Sequence, residues 1–265
     1  MGKRSWECSK VNNFKGMVPG IFTVGNMFCG FFSIITSIKR SSPTEAAWLI
    51  ILAAFLDMLD GQMARLSGAT TRFGLELDSF ADFVSFAVAP AVMFYSFGWI
   101  GSETWGWLLG FVFVLAGSFR LARFNLQADL EQETRYLGLP IPVAAMSLAG
   151  FVIFSHRLWG ELRFEKLLVV MVVAFSVLMV SNIEYEPMPR LSLERRKDRV
   201  KMLLLLLAGV LTIIDPGAAV FPVVTAYLLY GVIREVKIIV SPRGQVSSRS
   251  QQSNSSRQEG KQKDP

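Results

Sequence analysis

The stretch AAWLIILAAFLDMLDGQMARLSGATTRFGLELDSFADFVSFAVAPAVMFYSFGWI, residues 46–100, sets two long apolar runs on either side of a short polar turn and places acids inside them. A helix needs about 20 mostly apolar residues to cross hydrocarbon. The runs 46–66 and 77–100 meet that length. Further runs at 19–38, 104–124, 139–156, 165–184, 201–215 and 217–234 extend the pattern to eight expected membrane helices, an all-α polytopic bundle. The last two are short and are split by Asp215-Pro216-Gly217; one interrupted or re-entrant hairpin is the alternative for them.

The composition agrees. Of 265 residues, 52% are hydrophobic and 18% charged, against about 25% charged in soluble domains. These values exclude disordered, collagenous and disulfide-scaffold classes. Cys8 sits in a charged leader and Cys29 inside the first apolar run, so no structural disulfide is expected. Residues 1–18 read as a basic cytoplasmic leader, 19–235 as the membrane domain, and the Ser/Gln/Arg/Lys-rich residues 241–265 as a disordered cytoplasmic tail. The first run lacks an A-x-A-like cleavage site after it and reads as a retained helix.

Orientation follows from lysine and arginine. With eight crossings, the leader, the second–third, fourth–fifth and sixth–seventh connections and the tail share one side. Of the 27 cations only Lys39, Arg40, Arg157, Arg163 and Lys166 fall on the other. Both termini are therefore expected in the cytoplasm of a cell membrane. The net charge of +6 reflects cations near anionic lipid, not nucleic-acid binding.

The acids carry the chemistry. Asp57 and Asp60 are three apart and Asp78 and Asp82 four apart, so each pair shares a helix face. A charge at mid-bilayer costs about 2.5–3.5 kcal/mol on insertion scales. Two antiparallel neighbours would bring the four carboxylates to one depth near the cytoplasmic face, and Arg65 alone cannot neutralise them. Divalent cations can, and an all-oxygen set suits Mg²⁺ or Mn²⁺. Gly61 and Ala64 lie on the stripe of Asp57 and Asp60, where bare backbone admits a bulky anionic ligand; Gly74 serves the same end across the turn, and Arg65 can clamp a phosphate. Two metals bridging a diphosphate, with a carboxylate to take a proton, make a phosphoryl-transfer site.

The pattern Asp57-x-x-Asp60-Gly61-x-x-Ala64-Arg65, then Gly74-x-x-x-Asp78-x-x-x-Asp82, resembles the signature of the CDP-alcohol phosphotransferase family at every fixed position. The resemblance implies that Asp57, Asp60, Asp78 and Asp82 hold two metal ions and that Asp82 is also the general base. It implies nucleotide or diphosphate contacts at Gly61, Ala64, Arg65 and Gly74, and a homodimer. Arg120-Leu-Ala-Arg123-Phe-Asn125, Gly138-Leu-Pro140-Ile-Pro142-Val-Ala144-Ala145, Val180-Ser181-Asn182-Ile183 and Thr23-Val24-Gly25-Asn26-Met27-Phe28-Cys29-Gly30 resemble the membrane-integral branch that uses L-serine as acceptor. That branch implies CDP-diacylglycerol and L-serine as substrates. Arg120 and Arg123 would neutralise the acceptor's carboxylate, and Asn125 can hydrogen-bond an ammonium or a phosphate. Asn26 reads equally as a diphosphate contact or a helix–helix hydrogen bond. Acceptors such as glycerol 3-phosphate or an inositol phosphate are the alternatives within the chemistry, and an ion-coupled transporter is the alternative outside it.

Overall fold

Lipid offers no hydrogen bonds, so an apolar run inside it must satisfy its own backbone, and helices follow. The computed structural model of the chain describes residues 4–67, 72–98, 103–129, 136–181, 184–185, 214–226 and 228. Helix α1 spans Arg4–Ile38 and α2 spans Pro43–Ser67. The next span is composite: α3 (Arg72–Asp82), one π-helical turn (Phe83–Val88) and α4 (Ala89–Ser96). Then come α5 (Glu103–Asp129), α6 (Ile141–Trp159), α7 (Glu165–Val180) and the shorter α8 (Pro216–Ala226). A two-residue antiparallel ladder pairs β1 (Tyr136–Leu137) with β2 (Glu184–Tyr185).

Among the described residues, five segments are long and apolar enough to cross a membrane: Gly20–Ile38, Pro43–Ala64, Arg72–Ser96, Trp105–Leu126 and Ile141–Trp159. They match the first five expected helices with shifted ends. The third begins at Arg72, not 77, because the first turn of a helix leaving the lipid tolerates charge; Gly74 and Glu76 are therefore helical. The basic leader from Arg4 onward continues α1.

The sixth expected helix is shorter than its apolar run. With 16 residues, α7 is roughly 24 Å long. It stops where Ser181 turns extended (φ −63°, ψ 158°) and the chain returns to pair with β1. Most of the seventh run, the latter part of the eighth, and the tail lie outside the described residues. Asp215-Pro216-Gly217 is the start of α8. The Asp215 carboxylate accepts the Ala218 amide at 3.2 Å, and Pro216 occupies the first turn, where no amide hydrogen is missed.

Small residues set the packing, as they do between membrane helices. On α6 the fully buried Ala144, Ala145, Leu148, Ala149 and Val152 form its core face. One close crossing lies between α1 and the π turn. A Cβ on Gly30 would come 2.3 Å from Ser85 Oγ and 2.6 Å from Ser85 Cα. Opposite faces carry exposed Ile21, Val24, Phe28 and Phe31 on α1 and Phe111, Leu115 and Phe119 on α5, the surface a lipid solvent requires.

Adding one methyl at Gly30 forces backbone apart, whereas among the described residues a Cβ on Gly20 meets nothing within 4 Å. Gly30→Ala should destabilise by about 1–3 kcal/mol as overpacking. Gly20→Ala should be neutral or slightly stabilising. Thermal unfolding of the two variants in detergent is the check, and equal midpoints would contradict the crossing.

Candidate active site: carboxylates between the second and third spans

Asp57 lies ten residues before the end of α2, and Asp82 ten residues after the start of α3. At about 1.5 Å per residue both sit roughly 15 Å from their helix ends, and the helices run in opposite senses. The acids meet at one depth. One carboxylate oxygen from each of Asp57, Asp78 and Asp82 lies within 4.8 Å of the others. Asp82 is the last residue of α3, where the π turn begins; such turns recur at functional sites.

Asp60 stands one turn along α2, buried, and its Oδ2 accepts the Thr23 hydroxyl at 2.5 Å. Asn26, fully buried on α1, donates Nδ2 to Asp82 Oδ1 at 3.2 Å. Of the four expected metal ligands, the structure thus gathers three and holds the fourth beside them through α1. Sequence reading missed Thr23. Its position three residues before Asn26, on the same helix face, was the available signal.

These residues fit a hard cation. Asp60 Oδ1, Asp78 Oδ1 and Asn26 Oδ1 are buried acceptor atoms with no hydrogen-bond partner among the described residues. Buried acceptors are costly unless something positive meets them. Among the described residues the cluster is three converging carboxylates without a nitrogen or sulfur ligand, a donor set that suits a hard cation.

The neighbourhood is open on one side. Gly61 is exposed, and among the described residues nothing beyond its own helix backbone lies within 4 Å of where its Cβ would be. Ala64 and Gly74 are half-buried on the same end of α2 and α3. The Arg65 side chain falls outside the described residues.

The acceptor candidates separate. Arg120 is half-buried on α5, its guanidinium 5.3 Å from the Phe124 ring centre, and its charge bears on Asp57 and Asp82. Arg123 points elsewhere. Its Nη1 donates to Val180 O at 3.4 Å, and its Nη2 to Met179 O at 3.5 Å and Ser181 O at 3.1 Å. It thereby caps the carbonyls at the end of α7 that the helix itself does not bond. Gly138 (φ +80°) fits between, since a Cβ there would come 2.5 Å from Met179 O and 2.6 Å from Arg123 Nη2. Asn125 Nδ2 donates to Ser79 Oγ on α3 at 3.0 Å. Three separate sequence segments, around residues 123, 138 and 180, meet in one corner.

Residues 16–180 match the CDP-alcohol phosphatidyltransferase family. A CDP-diacylglycerol–serine O-phosphatidyltransferase of Helicobacter pylori is 34% identical over 226 residues, 84% of this chain and 93% of that protein. An archaetidylserine synthase of Methanothermobacter thermautotrophicus is 36% identical over 66% of this chain and 72% of its own length. A CDP-diacylglycerol–serine O-phosphatidyltransferase of Bacillus subtilis is 33% identical over 63% of this chain and 89% of its own length.

Removing one charge from the cluster should loosen its hold on a cation. Asp57→Asn and Asp78→Asn should each weaken Mn²⁺ binding at least about tenfold in calorimetric titration of the purified protein. Asp215→Asn, in the α8 cap, should leave the isotherm unchanged.

Proposed function

The chain belongs to the CDP-alcohol phosphatidyltransferase family, and on that premise we propose that it transfers the phosphatidyl group of CDP-diacylglycerol to the hydroxyl of L-serine, giving phosphatidylserine and CMP. The observation that carries this reading is the convergence of Asp57, Asp78 and Asp82 beside the open flank at Gly61. Serine is favoured because it is common to the names of relatives whose lipids differ, diacylglycerol in one case and archaetidyl in another.

Asp57, Asp60, Asp78 and Asp82 would hold the Mg²⁺ or Mn²⁺ ions, two by family resemblance. When bound, such ions supply charge neutralisation at the diphosphate. The CDP part lies along Gly61, Ala64 and Gly74, with Arg65 on the diphosphate, while the acyl chains stay in lipid. Asp82 takes the proton of the serine hydroxyl on Oδ2, since Oδ1 is engaged by Asn26. The serine oxygen bonds to the phosphorus next to diacylglycerol as the bond from that phosphorus to CMP breaks.

Arg120 is the residue for the serine carboxylate, being the cation among the described residues whose charge bears on Asp57 and Asp82. Arg123 and Asn125 act through the corner they build. Glycerol 3-phosphate or an inositol phosphate would bring a further phosphate and ask for a more basic site. A transporter would move substrate without releasing CMP. The cationic connections at the carboxylate end support a cell-membrane protein with this site, both termini and the tail in the cytoplasm, and with eight helices across residues 19–235. The family resemblance further suggests a homodimer.

Purified protein supplied with CDP-diacylglycerol and divalent metal should release CMP with L-serine and with no other acceptor. Release with glycerol 3-phosphate instead would discard the acceptor assignment. Asp82→Asn should lower turnover by about 10²–10⁴ while sparing CDP-diacylglycerol binding, and turnover like wild type would sink the base assignment. Arg120→Gln should raise the KM for serine roughly tenfold, the worth of one charge-assisted hydrogen bond, with the KM for CDP-diacylglycerol unchanged.

A further inference from the structure

Among the described residues the carboxylates of the cluster come from α2 and α3, yet two side chains of α1 engage acids on both of those helices. Thr23, 3% exposed, donates to Asp60 of α2; Asn26, 0% exposed, donates to Asp82 of α3. The two donors are three residues apart and so share one face of α1. Each binds one carboxylate oxygen and leaves the other. The free oxygen of Asp60, Oδ1, is buried with no hydrogen-bond partner among the described residues.

With Asp82 ionised, the amide has one favourable orientation. Turning Asn26 over would set its carbonyl oxygen against a carboxylate, acceptor against acceptor, so Nδ2 faces Asp82 and Oδ1 faces away. The α1 backbone is registered against the same span at two further points. Ser85, in the π turn, donates to the Asn26 carbonyl at 2.9 Å, and Gly30 allows the contact with Ser85. Asn26 is thus held at its backbone by the turn that follows the aspartate it holds by its side chain.

A carboxylate turns broadly about its last torsion, so a buried acid without a donor has no fixed plane. Outer partners that orient ligands commonly change metal affinity 10–100-fold when removed. We propose that Thr23 and Asn26 are positioning residues, through which α1 fixes which oxygen of Asp60 and which oxygen of Asp82 turn into the site. This rests on the reading of those acids as metal ligands and of Asp82 as proton acceptor.

The test uses the full chain in detergent with two readouts: Mn²⁺ binding without substrate, and kcat with KM for CDP-diacylglycerol. Thr23→Val keeps the shape and loses the hydroxyl; it should weaken Mn²⁺ binding about tenfold or more, while Thr23→Ser stays within about twofold of wild type. Asn26→Ala should weaken Mn²⁺ binding similarly and lower kcat about tenfold, leaving KM within about twofold. Asn26→Asp keeps the shape but sets a second carboxylate against Asp82, so its kcat should fall below that of Asn26→Ala.

Equal Mn²⁺ isotherms for Thr23→Val and Thr23→Ser would overturn the Thr23 assignment. A raised KM with unchanged kcat in Asn26→Ala would make Asn26 a diphosphate contact instead. An Asn26→Asp variant as active as wild type would show that no donor is needed. If the wild type releases no CMP with any acceptor, the activity reading fails, and the Mn²⁺ isotherms of Thr23→Val and Asn26→Ala still decide the positioning roles. Unfolding midpoints of Thr23→Ser and Asn26→Ala, expected near wild type, separate a misfolded variant from a mispositioned acid.

Discussion

Carboxylates brought together below a membrane surface repel one another and are poorly solvated, and this cost organises the molecule around them. Asp57, Asp78 and Asp82 converge within 4.8 Å, and Asp60 is buried beside them. Nothing apolar could hold such a group in place. Three devices do so here. Donors from α1 take one oxygen each of Asp60 and Asp82, Arg120 brings a positive charge from α5, and the remaining buried oxygens suit a hard cation. The close crossing at Gly30 and Ser85 brings α1 near enough for the first of these.

The corner at Arg123 explains why separate sequence segments belong together without each touching a ligand. A helix ending inside a protein leaves carbonyls unpaired, and α7 ends under its full apolar run. Arg123 meets the carbonyls of Met179, Val180 and Ser181. Gly138, in the left-handed region, lets the strand leading into α6 pass between them, and Leu139 N bonds Leu178 O at 3.1 Å. Asn125, two residues on, reaches Ser79, which lies between Asp78 and Asp82 in sequence. The far ends of α5 and α7 are thereby tied to the helix that carries two of the acids.

The first five spans and the acids were legible because long apolar runs and acids at spacings of three and four each have few structural readings. Asp57, Asp60, Asp78 and Asp82 could be placed at one depth from the helical rise alone. What escaped depends on contacts between distant segments. Thr23 reads as an ordinary polar residue until α1 is packed on α2. Arg123 reads as a second cation for an anionic acceptor until the end of α7 is beside it. Periodicity overshot α7 because the chain turns extended at Ser181 and Glu184–Tyr185 pair with β1, a choice made by tertiary pairing and not by hydropathy. Asp215-Pro216-Gly217 reads as a break, yet its residues are those a helix uses to begin.

The same distinction bears on orientation. Counting cations leaves Arg157, Arg163 and Lys166 on the face opposite the carboxylates, against the usual asymmetry. Arg157 lies in the last turn of α6, where a positive charge meets the negative end of the helix dipole, and it pairs with Asp215 at 3.6 Å. Glu165 lies in the first turn of α7, where a negative charge is favoured for the same reason, directly before Lys166. The Arg157 charge is accounted for by the helix end it occupies and by the acid beside it. It therefore weighs less as a topology signal, and the count is carried by the connections at the carboxylate end. The proposed orientation rests on that end of the molecule, which is also where an anionic lipid headgroup would need to be drawn toward a site built from acids.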